Sequence, residues 1–220
     1  MNKKLSWMLA AVSLALAGNA GASTIVIESA SATPSGILAD AAAYQGAVNG
    51  ALQGPAYARK TVDSYSNITH ASLFGGGSNF ALKSTISFGV SEANAGLWQF
   101  RAGVDFGYGG ALFVNDVALD SKSHDMWWDG QYTNPSQYFG ATVNLGAGNH
   151  TLTIYGFEGC CDGAQQAQFM APVGTFTSFS TSDNLVSAVP EPETYAMFLT
   201  GMAMLGFMTR RRDRPAKNNA

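Results

Sequence analysis

The chain has 220 residues, a length that holds one domain or at most a small pair. Only 12% of its residues are charged, against about 25% in ordinary soluble domains, and 25 are glycine, a composition that excludes a coiled coil or a long-helix protein. Between Ser23 and Val189 five Lys/Arg side chains face twelve Asp/Glu, a net of −7, and such a surface repels phosphate backbones and excludes nucleic acid as a partner.

Lys3 and Lys4 open a short basic region, Leu5 to Ala17 is an apolar run, and Gly18-Asn19-Ala20-Gly21-Ala22 follows with small residues. Those three parts in order predict a secretory signal peptide over 1–22, with Ala20-Gly21-Ala22 fitting the A-x-A cleavage pattern. Export implies an oxidising compartment for the mature chain. Ser23 to about Lys60 is rich in Ala and Gly; within it Ile25-Val26-Ile27 predicts an edge strand and Ile37 to Val48 a short helix.

From Ala81 the pattern becomes two-fold. Leu82, Ile86, Phe88 and Val90 alternate with Lys83, Thr85 and Ser87, as a half-buried strand requires. Leu97 to Phe106 repeats the signal more sharply: Trp98, Phe100, Ala102, Val104 and Phe106 face inward, while Gln99, Arg101, Gly103 and Asp105 face outward. Turn glycines over 107–110 precede a short apolar strand at Ala111 to Val114. Tyr138 to Leu145, His150 to Tyr155, Gln166 to Ala171 and Thr175 to Phe179 complete the series, and 145–149 reads as a tight connection. Short strands with no helices between them predict an all-β domain over 23–187, an antiparallel β-sandwich or jelly roll.

Two polar clusters interrupt the strands. The first combines Asp116, Asp120, His124, Asp125 and Asp129 with Trp127, Trp128 and Tyr132. Carboxylates there offer oxygen to a calcium ion and aromatic faces offer a platform for a sugar ring, although the spacing does not fit an EF-hand loop. The second is Glu158-Gly159-Cys160-Cys161-Asp162-Gly163, which holds the two cysteines of the chain. After export the simplest partner of each is its neighbour, so a vicinal disulfide between Cys160 and Cys161 is expected, with bridges between copies and free or metal-bound thiols as the alternatives. A ring between neighbours is strained, because Cα atoms about 3.8 Å apart lie below the usual disulfide range. From these clusters and the acid closing the best strand we take Asp105, Trp127, Trp128, Asp129, Glu158 and Asp162 as candidate ligand-binding residues; no metal-ligand set is assigned. Catalysis finds no support. His70, His124 and His150 are scattered, and neither a Gly-x-Ser-x-Gly elbow nor a phosphate loop occurs.

The C-terminal segment, 188–214, has a different character. Pro190-Glu191-Pro192 breaks any helix, Tyr195 to Thr209 is an uncharged apolar stretch, and Arg210-Arg211-Arg212 closes it as a cytoplasmic stop. This pattern predicts a single transmembrane helix. Fifteen helical residues span about 22 Å, so the helix must recruit flanking residues or thin a hydrocarbon core of about 30 Å.

The tail resembles a PEP-CTERM sorting signal, with Pro190, Glu191 and Pro192 as its motif. The resemblance implies processing by exosortase, a membrane transpeptidase, in a Gram-negative host that secretes exopolysaccharide. It also implies a processed protein of the envelope or polysaccharide matrix; the apolar span predicts an inner-membrane tether before processing, and the lack of a catalytic motif makes a non-enzymatic role the first reading. Cys160-Cys161-Asp162-Gly163 beside such a tail resembles the Cys-Cys-x-Gly family of PEP-CTERM proteins. In strand order, 98–116 with 145–152 is similar to the protective-antigen-type β-sandwich of toxins and yeast adhesins. That resemblance implies a lectin-like alternative in which a sugar is held, in some members, through calcium on adjacent aspartates. Here the matching position reads Asp105-Phe106-Gly107, without the second acid.

Overall fold

The computed structural model describes residues 22–185 and 199–202. The signal peptide (except Ala22), Pro190-Glu191-Pro192 and Arg210 to Arg212 lie outside the described residues, and of the predicted membrane segment only 199–202 is described, as helix. Among the described residues no helix is long and apolar enough to cross a membrane.

The strands run β1 (Thr24–Ser31), β2 (Ala58–Val62), β3 (Ser66–Ile68), β4 (Phe80–Val90), β5 (Gly96–Gly103), β6 (Asp105–Phe106), β7 (Gly110–Val114), β8 (Val117–Lys122), β9 (Met126–Trp127), β10 (Tyr138–Leu145), β11 (Gly148–Glu158), β12 (Gln165–Met170) and β13 (Thr177–Ser178). Two short helices, α1 (Ala41–Ala51) and α2 (His70–Phe74), join them. One sheet has the order β2-β1-β4-β11-β7-β8; the other runs β10-β5-β12-β13 with β3 also on β12, and β6 pairs with β9 alone. Every pairing is antiparallel, as the alternating pattern requires.

The two sheets close on a shared core. Ile25, Ile27, Leu82, Ile86, Leu112, Leu152 and Ile154 from the first meet Trp98, Phe100, Phe139, Phe169 and Phe179 from the second. All five residues predicted to face inward on the best strand are buried. A second, smaller core lies on the opposite face of the six-stranded sheet, where Tyr44, Val48 and Leu52 of α1 and its C-cap cover Ala81, Ala111, Phe113, Tyr155 and Phe157. The middle of that sheet is therefore apolar on both sides, which is why β11 is buried without alternation from Leu152 to Glu158.

Several elements depart from the sequence expectation. β1 is an interior strand, and β2, reading Ala-Arg-Lys-Thr-Val, occupies the edge. Charged edge strands of this kind deter pairing with other chains, and their lack of apolar alternation hides them from periodicity. The helix begins at Ala41 because the Asp40 side chain accepts from Ala43 N at 2.8 Å, leaving Ile37 outside and exposed. Residues 145–149 form the tight connection expected, and it carries the chain from one sheet to the other. Gly103 and Asp105, expected outward, are buried. A Cβ on Gly103 would lie 2.2 Å from the Trp128 ring, so the glycine is what lets that tryptophan lie flat on the strand.

Candidate functional site

At one end of the sandwich β6, β9 and the end of β11 converge. Asp105, Gly107, Tyr108, Asp125, Trp127 and the 158–161 loop line an open cavity of about 580 Å³. β9 pairs with β6 so that Trp127 stands opposite Asp105. Trp127 N also donates to Gln137 Oε1, which fixes the backbone beneath an indole that is 69% exposed. Trp128, one residue on, points to the other side as strand geometry demands. It is buried against Gly103 and Tyr132, and its Nε1 has no hydrogen-bond partner among the described residues.

Glu158 organises the floor. Its Oε1 accepts from Gly159 N and Cys160 N, both at 2.8 Å, and its Oε2 accepts from Gly107 N at 2.7 Å. One carboxylate thus ties the turn after β6 to the cysteine loop. Burial pushes the Glu158 carboxyl above its usual range, opposed by those three N–H donors. Asp105 has weaker compensation: burial first, then the charges of Glu158, Asp125 and Asp162, push it from 3.8 up to about 7. Gly163 lets the chain pass beside it, since a Cβ there would meet the Asp105 carboxylate at 2.3 Å.

Asp162 is placed away from the cavity lining. Its Oδ1 accepts from His70 N at 3.0 Å and its Oδ2 from Ala71 N at 2.7 Å, so it caps α2 while its own N–H donates to Gly77 O. Asp129 is also elsewhere; it is exposed and accepts from Gln131 N in a local turn. Of the six candidate ligand-binding residues, the fold therefore brings together Asp105, Trp127 and Glu158. Trp128, Asp129 and Asp162 serve packing, turn and cap. Asp125 and Tyr108 join the lining without having been among those candidates. Asp125 stood two residues before Trp127, and that spacing was the available signal.

Cys160 and Cys161, expected as a vicinal disulfide, form a neighbouring pair of free, exposed thiols on the rim. The hydrogen-bonded Cys161 thiol raises the pKa of Cys160, which disfavours the thiolate a nucleophile needs. Cys161 sits at φ 71°, the left-handed region that a residue with a Cβ enters at some cost. The oxygens of Glu158 and Asp162 are committed to backbone donors, and among the described residues no three His, Cys, Asp or Glu side chains form a group suited to a metal ion.

No curated protein matches the chain. Among solved structures it is similar to a PA14 sugar-binding domain from an RTX adhesin, with 13% identity, 76% of this chain and 98% of that chain covered, and a TM-score of 0.51. It is also similar to the PA14 domain of the antifreeze protein MpAFP, with 12% identity, 76% and 91% coverage and a TM-score of 0.47. A third likeness is the epithelial adhesin 9 A domain from Candida glabrata in complex with Galb1-4GlcNAc, with 10% identity, 76% and 94% coverage and a TM-score of 0.46. The first likeness speaks for the sandwich fold alone. Residues 188–212 match the PEP-CTERM protein-sorting motif, the stretch that contains Pro190-Glu191-Pro192 and the three arginines. The chain is therefore an exported protein carrying a PEP-CTERM sorting motif, handled by an exosortase-type system and delivered to the envelope or extracellular space.

Proposed function

We propose that the exported sandwich is a non-enzymatic saccharide-binding domain that holds polysaccharide of the surrounding matrix at the acidic cavity, tethered to the inner membrane by its tail before processing. The observation that carries this reading is Trp127: a large indole, 69% exposed and held on a paired strand, beside the carboxylates of Asp105 and Asp125. A sugar ring presents one apolar face to stack on an indole and hydroxyls that donate to carboxylates. The sugar-binding description of the RTX adhesin domain, which shares the fold, supports the same reading. Binding is expected to be independent of calcium, because Glu158 and Asp162 spend their oxygens on the backbone. The two thiols serve as rim, and oxidation to a vicinal disulfide would stiffen it.

A glycan array probed with the exported protein, with and without chelator, tests this. Signal on specific saccharides that survives chelation and falls at least tenfold in Trp127→Ala is the expected result. Wild-type signal in Trp127→Ala would overturn the assignment of the cavity, and signal abolished by chelator would overturn the calcium-free reading.

A further inference from the structure

Arg101 stands in the middle of the outer face of the second sheet, on β5 between Gly140 of β10 and Gln168 of β12. Its guanidinium is held between two rings: Cζ lies 3.9 Å from the centroid of Tyr132 and 3.8 Å from that of Phe176. Nε donates to Gln168 Oε1 at 2.7 Å, which fixes the rotation of the plane. Neither Nη has a hydrogen-bond partner, and no carboxylate is in ion-pair range, among the described residues. Asp120 reaches the same face by accepting from Gly140 N at 2.9 Å, but it is ion-paired with Lys122 at 3.0 Å. Burial lowers the guanidinium pKa, a cost that an anion would offset.

Stacking on both faces leaves only the edge of the fork to bind. That edge matches a planar carboxylate through two parallel N–H···O bonds. Hollows of about 280 and 370 Å³ flank it. Gln99 and Thr142 line the first; Gln131, Thr133 and Gln166 line the second. These amides and hydroxyls suit the hydroxyls of a sugar. No second cation lines either hollow, so the site matches one singly charged group at a time. One planar carboxylate on a hydroxylated ring fits these conditions.

We propose that this face binds a uronate residue of an acidic polysaccharide, with its carboxylate on the Nη edge of Arg101 and its hydroxyls on the flanking amides. The site is independent of the acidic cavity, since Trp127 and Arg101 line different hollows. The exported protein, applied to polygalacturonate and to neutral dextran on a solid support, should be retained by the first and pass the second. Retention should weaken as salt rises. Arg101→Gln should weaken it at least tenfold, and Arg101→Lys should fall between, keeping the charge and losing the fork. Gly140→Asp supplies Arg101 with an internal carboxylate without touching the clamp. A Cβ there meets only the Tyr138 ring, at 3.5 Å, so the variant should fold, and it should block polygalacturonate as Arg101→Gln does. Failure of this site shows as wild-type retention in Gly140→Asp, and failure of the cavity shows as wild-type array signal in Trp127→Ala, so the two are distinguishable. Equal retention on dextran, or wild-type retention in folded Gly140→Asp, would overturn the proposal; if Arg101→Gln does not fold, Gly140→Asp alone decides.

Discussion

Across the middle of the six-stranded sheet, the outer surface carries Ala81, Ala111, Phe113, Tyr155 and Phe157, and α1 lies over them. The outer surface of the second sheet carries Gln99, Arg101, Thr142, Gln166 and Gln168, and its side chains line open hollows. Both sheets bury the same kind of inner face, so the contrast is decided by the outward half of each alternation. Apolar outward residues demand a cover, and the chain supplies an eleven-residue helix for it. Polar outward residues demand none, so that face stays open. Tyr44 links the covered face to the cavity: its hydroxyl donates to Tyr108 O at 2.7 Å, so the covering helix also holds the turn that lines the acidic cavity.

The largest expected effect breaks the covered side of this comparison. Phe113→Asp places an unpaired charge beneath α1 on a residue that is 3% exposed, and should cost about 3–5 kcal/mol or abolish cooperative unfolding. Thr142→Asp makes the same kind of change on the open face, where the side chain is exposed, and should stay within about 0.5 kcal/mol. Urea melts of the two variants check this. Equal losses would mean that the second face is also covered in the folded protein.

Next in size is Glu158→Gln. Two backbone donors reach Oε1 and a third reaches Oε2, and an amide NH2 can accept from none of them. Loss of one charged hydrogen bond should lower stability by about 1.5–3 kcal/mol. Amide exchange should accelerate at Gly107, Gly159 and Cys160 first, while the α1 amides keep their protection. Uniform acceleration across the sandwich would show that the cavity floor and the core are one cooperative unit.

The alternation from Ala81 onward carried the core in plain view, because Trp98, Phe100 and Phe106 each stand where a period of two puts them. β8 and β2 were invisible for the complementary reason: their polar residues pair at sheet margins and bury little. Trp127 and Trp128 looked like one feature in the sequence, yet neighbouring strand residues face opposite ways, so one became a cavity wall and the other packing. Glu158 could not have been assigned its work from sequence, since its partner Gly107 lies 51 residues away. Asp105 was expected outward by continuing the β5 alternation past Gly103. The strand ends there, and β9 and Gly163 close over the next segment.

That enclosure gives Asp105 the most specific effect, one that shows only as a dependence on pH. Its carboxyl titrates at about 7 in the folded protein against 3.8 for the ordinary group, with burial the first cause and Glu158 the second. The folded state then holds a proton that the unfolded chain has released, so between these values folding is linked to proton uptake. The stabilisation is complete below about pH 4 and is lost as the pH rises through about 7. Melting temperature should therefore decline across that window in the wild type. Glu158, raised in the same direction, adds to the slope with the same sign. Asp105→Asn removes the larger contribution, leaves the residual slope of Glu158, and should melt above the wild type at pH 8, where the wild-type carboxylate is charged and enclosed. Glu158→Gln should narrow the window from its upper end by removing the second cause of the Asp105 shift. A wild-type melting temperature that is flat from pH 4 to 8, or a slope unchanged in Asp105→Asn, would show that the carboxylate reaches water; the cavity floor would then be as open as the outer face of the second sheet, and the contrast between an enclosed acid and that open face would fail.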